Sequence, residues 1–142
     1  MIKPTLQALF FVAIAGVLSC SNQTEESNNK QGMDQTQRIA KDVSVQEFSQ
    51  LVTDEVIVLD VRRSVEFQAG HLKSAVNIDY FSPNFVDLVE RLDKSKPLLI
   101  YCASGGRSSG AMKKLSNSGF VEMYNMLGGF RAWKSAGLDY EK

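Results

Sequence analysis

Two apolar runs limit the folds open to this chain: residues 55–61 (EVIVLDV) and 98–101 (LLIY) are continuous rather than alternating in hydrophobicity. A strand with one wet face alternates apolar and polar side chains, whereas a strand buried on both faces does not. Such runs belong to a parallel sheet covered by helices on each side. The segments around them have helical character. Ser44-x-x-Glu47 is a capping box with Val43 and Phe48 placed as its staple, which predicts a helix to about Leu51. Ser64 is placed to cap a helical turn through Phe67, ended by Gly70. Residues 75–78 form a weaker strand, and Ser82-Pro83 opens a helix in which Phe85, Leu88, Val89 and Leu92 share a face. A helix from about Ser108 to Ser118 stops at Gly119, residues 120–126 form a strand, Gly128-Gly129 a turn, and residues 130–136 a last short helix. The expected fold class is α/β, a three-layer α/β/α sandwich with a central parallel sheet. The crevice of such a sheet lies at the carboxyl ends of its strands, where Cys102 sits.

Composition narrows the function classes. Sixteen Lys+Arg balance sixteen Asp+Glu over 142 residues, so no net charge draws the chain to nucleic acid. Two cysteines are too few for a disulfide scaffold or a cysteine metal site, and one histidine excludes chemistry that needs two. No metal or cofactor is implied. The averages hide an uneven distribution. Lys3 followed by an apolar run from Leu6 to Leu18 reads as an export signal over residues 1–19. As a helix that run would reach only about 20 Å, short of the ~30 Å hydrocarbon core. Val17-Leu18-Ser19-Cys20 resembles a bacterial lipobox, which implies lipidation of Cys20. An ordinary secretory signal with an incidental cysteine is the alternative. Residues 20–41 are polar and read as a tether of about 25 Å r.m.s. reach. The folded domain is expected over residues 42–142, as a monomer held to the bacterial cell envelope by the lipid and facing the periplasm or exterior.

The chemistry concentrates in Cys102-Ala103-Ser104-Gly105-Gly106-Arg107-Ser108. Two glycines let successive N–H groups turn into one concavity, and the next helix adds its free N–H groups and positive dipole end. A thiol there is expected to have a lowered pKa and to react as the thiolate. Arg107 adds a permanent positive charge. The alternative is a small buried cysteine at an ordinary strand-to-helix turn.

This loop, together with Leu59-Asp60-Val61-Arg62, Glu66-Phe67-x-x-Gly70-His71-Leu72 and Gly128-Gly129-Phe130-x-Ala132-Trp133, resembles a single-domain rhodanese from about Asp42 to Gly137. The resemblance implies a sulfurtransferase in which Cys102 is the nucleophile and persulfide carrier. The N–H groups of Ala103, Ser104, Gly105, Gly106 and Ser108 would cradle the outer sulfur, and Arg107 would hold the loop or orient the donor. The donor would be a small sulfur anion such as thiosulfate, and the acceptor a thiol or cyanide-like group. Three rivals remain. Cysteine-dependent phosphatases wrap phosphate in a Cys-x5-Arg loop, whereas four residues separate Cys102 from Arg107 here. A non-catalytic binding module would not need the thiol, and a dithiol redox protein would need a second one.

Asp60 and Arg62 are supporting candidates. Asp60 reads as a buried carboxylate satisfied by backbone N–H groups, with assistance to the chemistry as the alternative. Arg62 or Arg63 is placed to pair with Glu66 on the rim. The His71 ring is expected to hydrogen-bond backbone, Phe130 and Trp133 to pack, and Lys113-Lys114 to form a solvated helix face.

Overall fold

The computed structural model describes residues 38–142. The export signal, Cys20 and most of the expected tether lie outside the described residues. Strands and helices alternate throughout: β1 (Ile39–Val43), α1 (Val45–Leu51), β2 (Ile57–Asp60), α2 (Ser64–Gln68), β3 (Val76–Asn77), α3 (Phe85–Val89), β4 (Leu98–Tyr101), α4 (Gly106–Lys114), β5 (Glu122–Met126) and α5 (Gly129–Ser135). The strands form one sheet in the order β1-β5-β4-β2-β3, and every pairing is parallel.

Side-chain alternation sends each strand's residues to two separate cores. Val58, Leu99, Tyr101, Tyr124 and Met126 pack with Phe48 of α1 and with Phe130 and Trp133 of α5. Leu59, Leu98, Ile100 and Met123 pack with Phe85 and Val89 of α3 and Ala111 of α4. The expected three-layer α/β/α sandwich is therefore present. The apolar runs at residues 55–61 and 98–101 are continuous because β2 and β4 are covered on both faces.

Local details depart from the expectation in physically clear ways. The Ser44 hydroxyl accepts the Glu47 N–H at 3.1 Å, but the Glu47 carboxylate turns to Lys41 Nζ at 2.7 Å, so the capping box forms only by half. Ser64 is the first helical residue of α2, and Arg63 is its N-cap. Ser82 and Pro83 belong to a turn before α3, which starts at Phe85 with Asn84 as its cap residue. At the other edge, β1 begins at Ile39, inside the stretch expected as tether up to Lys41.

The strand order creates the crevice. From β2 the chain moves outward to β3, then returns across β2 to β4 and goes on to β5. The loops after β2 and β4 therefore leave in opposite directions, which opens a gap between two neighbouring strand ends. Cys102 follows β4, and Asp60 ends β2.

Candidate active site

The alternation along β4 also decides where the cysteine goes. Leu98 and Ile100 face α3 and α4, Leu99 and Tyr101 face α1 and α5, and Cys102 returns to the α4 side. Its thiol is buried below the start of α4. Gly105 makes the turn in the left-handed region, with φ +100°, and lets α4 begin at Gly106, two residues ahead of the sequence expectation. The Gly105 N–H then donates to Cys102 Sγ at 3.1 Å, and the Ser108 hydroxyl lies 3.5 Å from the same sulfur. The Ser108 hydroxyl is also 3.1 Å from the Gly105 carbonyl oxygen, so its one proton serves either acceptor.

Burial pushes the Cys102 thiol up, but the Ser108 hydroxyl and the N–H groups of Ser108, Ser104 and Gly105 outweigh it. The net shift is below the ordinary cysteine value, so the pocket favours the anion. On the Cys102 sulfur itself the groups of Ser104, Gly105 and Ser108 act. The Ala103 carbonyl accepts the Arg131 N–H at 3.1 Å, and Gly106 opens α4.

Arg107 is held by a residue the sequence assigned elsewhere. Its Nη1 and Nη2 donate to the two oxygens of Glu66 at 2.7 and 2.8 Å, a side-by-side pair between α4 and α2. Neither Arg62 nor Arg63 is the side-chain partner of Glu66; Arg63 meets it only through its backbone N–H, at 3.1 Å. The Arg107 guanidinium holds the Glu66 carboxyl at about 2. A carboxylate with a lowered pKa stabilises the fold above its ordinary range near pH 4.5 and loses that contribution as pH falls toward 2. Following the Glu66 side-chain carboxyl by NMR should show it titrating near pH 2, and a midpoint above 4 would show that the pair does not persist in solution.

Asp60 and Arg62 are not brought to the sulfur. Asp60 accepts the Arg62 backbone N–H at 2.9 Å, as expected of a buried carboxylate, and also the Arg62 side chain through Nε at 2.9 Å and Nη2 at 2.6 Å. The guanidinium lies 4.2 Å from the Phe130 ring centroid and 5.5 Å from that of Tyr101, on the α1/α5 face of the sheet. Its Nη2 also donates to the Gly70 carbonyl at 2.7 Å, which ties the end of α2 to β2. His71 follows the sequence reading. Its Nδ1 lies 3.0 Å from the Phe67 carbonyl oxygen and its ring stacks on Phe67 at 3.8 Å. Phe130 and Trp133 are buried. Lys113 and Lys114 are both exposed, as expected of a solvated helix face, and Lys114 Nζ lies 4.0 Å from the Tyr80 ring centroid.

Glu66 and Gly129 are site residues that local spacing does not reveal. Gly129 presses on the backbone of the cysteine loop, and the Phe130 N–H donates to the Cys102 carbonyl at 2.7 Å. The Gly128-Gly129 pair is a visible signal, but it reads only as a turn.

Comparison with known proteins agrees with this arrangement. The profile of the rhodanese-like domain matches residues 44–136. The chain is 36% identical over 84 residues to a thiosulfate sulfurtransferase, GlpE, of Vibrio cholerae, covering 59% of this chain and 77% of that one. It is also 35% identical over 117 residues to a tRNA uridine(34) hydroxylase of Cytophaga hutchinsonii, covering 77% of this chain but 37% of that one. A rhodanese-related protein of Thermoplasma volcanium superposes with a TM-score of 0.64 at 24% identity, over 72% of this chain and 98% of that one. Sheet order, cysteine loop and profile agree, and the chain belongs to the rhodanese-like domain family.

Proposed function

We propose that this domain is a sulfurtransferase that carries sulfane sulfur on Cys102. The observation that supports it best is the sulfur itself, buried at the start of α4 with the Gly105 N–H on it at 3.1 Å and a pKa below the ordinary thiol range. The Cys102 thiolate attacks the outer sulfur of a donor such as thiosulfate. The S–S bond of the donor breaks, sulfite leaves with the electron pair, and Cys102 keeps a persulfide. A thiol or cyanide acceptor then attacks the outer sulfur and restores the thiolate. Two half-reactions through a covalent intermediate give ping-pong kinetics. No external base is needed, because the loop already favours the anion.

Phosphate transfer fits less well. Four residues rather than five separate Cys102 from Arg107, and Glu66 holds the Nη1/Nη2 edge of the guanidinium, leaving the side chain less free to wrap a phosphate. The test is intact-mass spectrometry of the protein after mixing with thiosulfate. The expected result is a one-sulfur gain, reversed by cyanide and absent in Cys102→Ser. If wild-type protein gains no sulfur from thiosulfate, polysulfide or mercaptopyruvate, the sulfurtransferase reading falls. Turnover of a small aryl phosphate dependent on Cys102 would favour the phosphatase instead.

The envelope location belongs to the same proposal and rests on Val17-Leu18-Ser19-Cys20. In a bacterial host, Cys20→Ala is expected to move the protein from the membrane to the soluble fraction. Unchanged membrane fractionation would remove the lipid anchor from the reading.

A further inference from the structure

The charges around the cysteine loop narrow the donor beyond the reading just given, on which this inference rests. Two arginines stand near the carboxyl ends of β2 and β4, and each is neutralised by its own carboxylate: Arg107 by Glu66 at 2.7 Å and Arg62 by Asp60 at 2.6 Å. The loop's small residues, Ala103 and Ser104, add no cation. What remains for the sulfur is a set of N–H groups and the start of α4, which together balance about one negative charge. The thiolate already supplies that charge. A dianionic donor would bring two more, against a Glu66 carboxylate that stays ionised to about pH 2. The remaining cations of the neighbouring segments, Arg63, Lys114 beside Tyr80, and Arg131, are exposed, where water screens them.

The surroundings are apolar as well as nearly neutral. Val65, Phe81 and Leu127 are 70%, 60% and 51% exposed, and they follow the carboxyl ends of β2, β3 and β5. All three therefore lie at the edge of the sheet that carries Cys102. Val65 adjoins Glu66 in α2, and the Leu127 Cα lies 3.9 Å from where a side chain on Gly105 would begin. Phe81 sits against Arg63, whose guanidinium carbon is 5.6 Å from the ring centroid.

We infer that the preferred sulfur donor of this site is a small organic persulfide with an apolar body and at most one negative charge, rather than a dianion such as thiosulfate. The step balances without another reactant. The Cys102 thiolate attacks the terminal sulfur of R–S–SH, the S–S bond of the donor breaks, and R–S⁻ leaves with the electron pair. The proton stays on the transferred sulfur, now Cys102–S–SH. The apolar group R would rest on the Val65, Phe81 and Leu127 surface.

The experiment measures second-order rate constants for one-sulfur loading of Cys102 by benzyl persulfide and by thiosulfate. Each is divided by that donor's rate with a free alkyl thiolate, which removes intrinsic reactivity. In the wild type the normalised ratio is expected to favour benzyl persulfide at least tenfold. Glu66→Gln unmasks the Arg107 charge and should shrink that ratio about tenfold. A change in thiolate reactivity acts on both donors and cancels. Phe81→Ser, on an exposed ring away from the ion pair, should shrink the ratio about threefold and decides the matter if Glu66→Gln does not fold. A wild-type preference for thiosulfate overturns the inference and leaves the sulfurtransferase reading intact, as does a ratio that neither variant moves. Failure of both donors to load Cys102 removes the sulfurtransferase reading and this inference with it.

Discussion

Asp60→Ala is expected to destabilise the fold by about 3–5 kcal/mol, measured by denaturant unfolding, with most of the loss caused by the cation it leaves behind. Asp60 is 0% and Arg62 4% exposed, and a guanidinium cannot escape by losing its proton. Three contacts at 2.6–3.0 Å now join the Arg62 side chain to this carboxylate. Without it the guanidinium keeps the Gly70 carbonyl and the faces of Phe130 and Tyr101, none of which carries a full negative charge. Removing both charges together, as Asp60→Leu with Arg62→Met, should cost much less than removing Asp60 alone, because no buried charge is stranded. A loss under about 1 kcal/mol for Asp60→Ala would mean that water reaches Arg62 and that the pair is not sealed. The consequence extends to the active site. Arg62 holds the Gly70 carbonyl just beyond α2, and α2 carries the Glu66 that grips Arg107.

The sequence made some of this visible and hid the rest for physical reasons. β2 and β4 are legible because both faces are buried, so Ile57–Asp60 and Leu98–Tyr101 sit within continuous apolar runs. β1 is not. Only Val43 of its five residues is buried, and it joins the sheet at an edge through backbone hydrogen bonds to β5. Backbone pairing leaves no mark on hydropathy, so Ile39 to Lys41 read as tether. The cysteine loop is legible because glycine, arginine and serine punctuate it at fixed spacing. The residue that engages Arg107 is not, since Glu66 lies 41 positions away in sequence and local spacing favours Arg62 or Arg63 as its partner. The fold resolves that competition by alternation. Asp60 faces the α1/α5 core and draws Arg62 there, which leaves Glu66 to the cysteine side.

Gly129→Ala is expected to lower sulfur loading of Cys102 by about 10²-fold or more while leaving a folded domain. Gly129 has φ +56°, a left-handed conformation that costs a side-chain-bearing residue about 1–2 kcal/mol. Space is the larger problem. A Cβ there would overlap the Cys102 carbonyl oxygen and stand 2.7 Å from the Ser104 nitrogen and 2.8 Å from the Ala103 carbonyl carbon. These are the backbone atoms that aim the loop, and the Ser104 N–H is among the groups that lower the Cys102 pKa. They cannot yield by rotating a side chain. The start of α5 also fixes the loop directly, with the Phe130 N–H on the Cys102 carbonyl at 2.7 Å and the Arg131 N–H on the Ala103 carbonyl at 3.1 Å. An added methyl group must push these partners apart, and the N–H groups then no longer converge on the sulfur. Gly137→Ala is the control. Its φ of +71° imposes a similar backbone cost, but nothing lies within 4 Å of the new Cβ. It should lose about 1–2 kcal/mol of stability and load sulfur at the wild-type rate. If Gly129→Ala also loads within threefold of the wild type, the contact between α5 and the cysteine loop does not set the geometry of the thiolate.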